Sequence, residues 1–91
     1  MKTYKIPKPS TLIKGAFQRG GCHCATGWLC HHIDPEEIHF SRFYLSAKKG
    51  IETSRLIVSN DALETPEERI ANLREFIEQE PALELGEGWG V

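Results

Sequence analysis

Between Ile70 and Ile77 the apolar residues fall at Ile70, Leu73, Phe76 and Ile77, with Ala71 beside them and polar residues between. That spacing returns to one side of a helix every turn, so the segment reads as an amphipathic helix with a buried face. Thr65-Pro66-Glu67-Glu68 supplies its start. The threonine can accept from an exposed backbone N–H, proline suits the first helical position, and the glutamate three residues after the cap can reach back to it. Pro81 stops the run. The pattern predicts a helix over 66–80, with Glu68, Glu75 and Glu78 toward solvent.

Asp34-Pro35-Glu36-Glu37 repeats that start, and Phe40, Phe43, Tyr44 and Ala47 follow at i, i+3, i+4 and i+7 before Lys48-Lys49-Gly50. A helix over 35–49 is expected; the competing reading is a short turn, a strand over 39–46 and a hairpin at Ala47–Gly50. Thr53–Ser59 contains Leu56, Ile57 and Val58 and reads as a strand ended by Asn60 and Asp61. Trp28, Cys30 and His32 alternate with Leu29, His31 and Ile33, which suggests another short strand after the glycines at 20, 21 and 27. Ser10 can cap a short helix over 11–19 that closes at Gly20 and Gly21. Pro7 and Pro9 leave 1–9 as a loose arm, and the Gly-rich tail 82–91 holds a brief strand at Leu83–Leu85. The expected fold is α+β: one small domain over 1–91, with two or three helices packed on a short antiparallel sheet or hairpin.

Composition bounds this reading. Hydrophobic residues are 40% and charged residues 26% of the 91, a globular balance. A chain this long buries only about 60–65% of its unfolded surface, so a metal or a partner chain would add stability. The early lysines precede no apolar run, so no signal peptide is expected, and no stretch approaches the roughly 20 apolar residues of a membrane span. Three cysteines, an odd number confined to Cys22–Cys30, do not form a disulfide framework. They point to a reducing, cytoplasmic setting, and without a membrane span no membrane partner is expected.

The net charge of −2 conceals a division. Residues 1–50 hold eight Lys/Arg against three Asp/Glu, and residues 51–91 hold three Arg against ten Asp/Glu. A chain divided in this way is unlike a uniformly basic nucleic-acid coat.

The densest chemistry is Cys22-His23-Cys24, then Cys30-His31-His32, with His39 beyond. Thiolate and imidazole suit zinc, and four such ligands close a tetrahedral site. Cys22, Cys24, Cys30 and His32 form the natural set, because His32 would share a strand face with Cys30; His39 is the alternative to His32. Ordinary buried thiols are the competing reading. A nucleophilic cysteine would need a neighbouring imidazole or cation to activate it. Gly21-Cys22-His23-Cys24 resembles the opening GxCHCG zinc motif of the glutathione-dependent formaldehyde-activating family. Ala25 stands where that motif has glycine and its further cysteine clusters are missing, so neither fold nor activity is carried over. No phosphate loop, dinucleotide fingerprint or His-Glu-x-x-His occurs.

These features order three functional expectations. The first is a protein-interaction or regulatory module, with a structural zinc as a candidate stabiliser. Its binding residues would be Glu75 and Glu78 on the acidic helix and Leu83, Leu85 and Trp89 on the tail, and its partner another protein or a second copy of this chain. The alternatives are a nucleic-acid-binding module that uses Lys5, Lys8 and Lys14 of the basic half, and a small Cys/His-dependent enzyme.

Overall fold

The computed structural model describes residues 3–37 and 43–90. Among them the chain runs β1 (Tyr4–Ile6), β2 (Gln18–Arg19), β3 (Cys22–His23), α1 (Ala25–Ile33), α2 (Tyr44–Lys49), α3 (Ser54–Ala62), α4 (Pro66–Gln79) and β4 (Leu83–Leu85). It is a small α+β domain. Its four described helices exceed the two or three expected, and the strands form two separate pairs. β1 lies parallel to β4, with Tyr4 opposite Leu83 and Ile6 opposite Leu85. β2 and β3 are antiparallel, with Arg19 opposite Cys22.

The helix over 66–80 forms as its pattern requires. The Thr65 hydroxyl accepts from the Glu68 N–H at 3.2 Å, and the Thr65 N–H donates to the Glu68 carboxylate at 3.1 Å. Leu73 and Ile77 are buried, and Ile70 and Phe76 pack half-buried against the same core. Arg69 is buried one turn into this helix. Its Nε donates to the Leu12 carbonyl and a terminal nitrogen to the Leu63 carbonyl, both at 2.8 Å. The guanidinium fork thus satisfies two loop carbonyls that no helix or sheet reaches.

Two segments expected as strands are helices. Residues 25–33 bury Ala25, Leu29, Cys30 and Ile33, a spacing of i, i+4, i+5 and i+8. The helix begins at Cys24, whose Sγ accepts from the Gly27 N–H at 3.3 Å. Residues 54–62 are helical despite the β-branched pair Ile57-Val58. Leu56 and Asn60, four apart, point inward, whereas Val58 is 64% exposed. Glu52 accepts from the Ser54 N–H at 2.9 Å and caps this helix from outside. Packing of one helical face outweighs a local strand preference worth less than about 1 kcal/mol per residue.

Of the helix expected over 35–49, the described residues show α2, ended by Gly50 at φ 71°. Pro35 and Glu36 lie in a turn after α1, and residues 38–42, which include His39 and Phe40 of the expected site and stripe, lie outside the described residues. No helix forms over 11–19; that stretch is irregular until β2.

Of the segment expected as a loose arm, residues 4–8 are held firmly. Ile6 is fully buried, and its carbonyl accepts from both the Gly86 N–H at 2.9 Å and the Trp89 indole at 2.7 Å. The next carbonyl, that of Pro7, accepts from the Trp28 indole at 2.8 Å. Ile6, Leu12, Leu29, Leu45, Ile51, Leu56, Leu73 and Ile77 form the centre of the core, drawn from almost the whole length of the chain.

Candidate functional site

The structure divides the cysteine–histidine cluster. Cys24 caps α1 and Cys30 lies six positions later on it, so helix rise alone separates them by about 9 Å. Zinc–sulfur bonds are only about 2.3 Å long. Cys30 and His32 would share a face on a strand, but at i and i+2 of a helix they point to nearly opposite sides. Cys22 sits on β3, half-buried. Cys22, Cys24, Cys30 and His32 are therefore not brought together. Among the described residues no group of three or more Cys, His, Asp or Glu side chains is placed to hold a metal ion.

Cys24 and Cys30 are buried free thiols. Burial raises the Cys24 thiol above its ordinary value, and the nearby Asp61 charge adds to this; backbone N–H groups of Gly27 and Thr26 act in the opposite sense without reversing it. Burial, with Cys24 and Asp34 nearby, pushes Cys30 up to about 12. Both are protonated at neutral pH. That form is a poor nucleophile, and a metal would have to displace its proton.

Around Trp28 the histidines do gather. The His32 ring meets the Trp28 ring edge-on with centroids 4.3 Å apart. His31 lies 5.0 Å from His32 and 5.0 Å from His23, which reaches across from β3. His32 Nε2 is buried with no hydrogen-bond partner. His23 and His32 are both held below the ordinary imidazole value, first by burial and then by the neighbouring imidazoles. A small cleft lined by Phe17, Gln18, His23, His31, Pro35 and Glu37 opens beside them. This grouping is invisible if residues 28–33 are read as a strand. Read as a helix, Trp28, His31 and His32 fall at i, i+3 and i+4 and share one face.

The expected binding residues separate into two groups. Glu75 and Glu78 are exposed on α4, with Glu78 3.7 Å from Arg74. Leu83 and Trp89 are buried instead of projecting from a tail, and Leu85 is half-buried in the β1–β4 pair. Trp89 is only 6% exposed, and its carbonyl accepts from Arg74 at 3.0 Å. Trp89 closes the core, so it is not a free anchor.

Beside Glu75 a groove of about 410 Å³ opens between α3 and α4. Half-buried Phe76 supplies its apolar part, over the buried Leu56 at its base. Glu52, Glu75 and Glu80 stand against the single cation Arg55, with Ser59, Asn72 and Gln79 as neutral polar lining. The Asn72 amide donates to the Ser59 hydroxyl at 2.9 Å and ties the two helices together within it. The acidic side of the groove follows from the helix pattern over 66–80. Its other wall could not be foreseen while residues 53–59 were read as a strand.

Comparisons with protein families, characterised proteins and solved structures give no match for this chain. No helix among the described residues is long and apolar enough to cross a membrane.

Proposed function

We propose that the domain is a protein-interaction module that takes a basic, partly apolar segment of another protein into the groove between α3 and α4. The observation that carries this reading is the lining itself: three carboxylates and one guanidinium around Leu56 and Phe76. An apolar patch with an excess of one charge favours a partner that offers aliphatic side chains beside lysine or arginine. The carboxylates would chiefly speed encounter and set orientation, and the apolar contacts would slow release. Glu78 and its pair Arg74 lie outside this lining, so the binding role expected of Glu78 passes to Glu52 and Glu80.

A dye-labelled amphipathic peptide carrying lysines and leucines, followed by fluorescence anisotropy, tests the reading. Binding to the intact domain should weaken as salt rises. Glu75→Lys should weaken it about tenfold, a change of about 1.4 kcal/mol. Glu84→Lys changes the net charge equally at the exposed position of β4, outside the groove, and should have little effect. Equal losses from the two variants would mean non-specific attraction to an acidic protein and would sink the groove.

A further inference from the structure

The imidazole cluster sits where two separate parts of the fold meet. His23 comes from β3; His31 and His32 come from the last turn of α1. Trp28 lies among them, with ring contacts to all three. Its indole N–H is also the donor that holds the Pro7 carbonyl. Pro7 directly follows β1, whose pairing with β4 is completed by Tyr4 N–H to Ala82, Gly86 N–H to Ile6 and Lys8 N–H to Glu87. One indole therefore links a group of titratable rings to the strand that closes the sheet.

We propose that His23, His31, His32 and Trp28 form an acid-sensitive latch: protonation of the imidazoles spreads the cluster, draws the Trp28 indole away from Pro7 and loosens the β1–β4 pair while α4 stays folded.

Charges on rings whose neighbours lie 5.0 Å apart repel one another, more at the half-buried His23 and His32 than at the exposed His31, where solvent screens them. Among the described residues the carboxylate lining the cleft with His23 and His31 is Glu37. The C-terminal end of α1 also favours positive charge. The helix end can accommodate a first added proton; further protons must enter beside it. β1 faces the cluster through the Pro7 carbonyl, which is neutral and supplies no compensating charge. His32 has an added reason to resist protonation, because its buried Nε2 has no acceptor waiting for a new N–H.

The direction of the effect follows from linkage. His23 and His32 are depressed in the closed form relative to 6.5, so the closed form binds fewer protons than the open one. Closure is therefore fully stable above about pH 6.5 and weakens as pH falls through the lowered values. β1 and β4 are short, and the latch acts on their edge. α4 is anchored independently by Leu73, Ile77 and the Thr65 capping box.

Amide hydrogen exchange on the intact chain, corrected for the intrinsic pH dependence, reads the latch directly. Protection at Tyr4, Lys8 and Gly86 should fall at least about tenfold between about pH 7.5 and pH 5.5, with Leu73 and Ile77 unchanged. Replacing His23, His31 and His32 together by Gln should abolish that selective loss. Should the triple variant not fold, His31→Gln, an exposed change, should reduce the loss by at least about half. Unchanged protection of the three amides in the parent chain would overturn the proposal. So would equal loss at Leu73 and Ile77, which would mean global acid unfolding, or an undiminished response in the folded histidine variant.

Discussion

Gly27 lies inside α1, where glycine costs about 1 kcal/mol relative to alanine. The reason it is tolerated is spatial. A Cβ there would sit 2.0 Å from the Phe17 carbonyl oxygen, which already accepts from the Cys24 N–H at 3.2 Å. The first turn of α1 and the strand-entry segment touch backbone to backbone. Gly27→Ala should therefore lower stability by about 1–3 kcal/mol in spite of its better helix propensity, because neither backbone can withdraw cheaply. Urea unfolding measures this, and a stabilised variant would show that the close approach is absent. Asn60 works at the same scale. Fully buried, it accepts from the Ala25 N–H at 3.4 Å and donates to the Ile13 carbonyl at 2.9 Å, so it joins α1 to the irregular stretch before β2. By its local sequence Asn60 reads as the end of a strand. A single asparagine carries no pattern that would reveal a partner 47 positions away.

Each helix was legible to the extent that its own residues determine it. α4 has cap, stripe and stop within one continuous segment, and its bounds of Pro66–Gln79 fall one residue short of the expected 66–80. Two substitutions separate its local from its tertiary support. Thr65→Ala removes a cap at an exposed site and should cost about 1 kcal/mol. Leu73→Ala opens a cavity in the core and should cost about 2–5 kcal/mol. Thermal or chemical unfolding of the two variants checks both, and near-equal losses would contradict the burial of Leu73. α1 and α3 were misread for a shared reason. Alternation over five or six residues and a run of β-branched side chains are local strand signals, whereas the faces that decide these helices need eight or nine residues to show. Ala25, Leu29, Cys30 and Ile33 were already at helical spacing. Gly27 reads as part of a turn-rich start because the contact that requires it, with Phe17, lies outside the segment.

On the scale of the whole molecule, burial sets the cysteine chemistry. Cys24 and Cys30 are enclosed and held as thiols, whereas Cys22 on β3 is half-exposed. Alkylation of the native protein followed by mass spectrometry should label Cys22 first. Cys24 and Cys30 should react only as the chain opens, with rates that rise in parallel with denaturant. Labelling of Cys24 as fast as Cys22 would contradict its enclosure and restore a reactive thiol to consideration. The charge division has a spatial counterpart at the α3–α4 groove, whose carboxylates Glu52, Glu75 and Glu80 all come from the acidic half of the chain. Lys5, Lys8, Lys14, Lys48 and Lys49 of the basic half are exposed elsewhere, and Lys14 lies 3.8 Å from Glu64.

What the amino-acid order determined by itself is the α+β class, α4 with its acidic outer face, and the strand at Leu83–Leu85. These depend on periodicity, capping and breakers acting within a few turns of chain. The tertiary structure alone decided that the N-terminal segment is a buried strand beside β4, that Trp89 closes the core, and that His23 joins His31 and His32 around Trp28. Ile6 and Trp89 are 83 positions apart, and their hydrogen bond exists only after the chain has closed on itself. A pairing across that distance leaves no periodic trace in either segment, because each supplies a donor or an acceptor that many other partners could satisfy equally well.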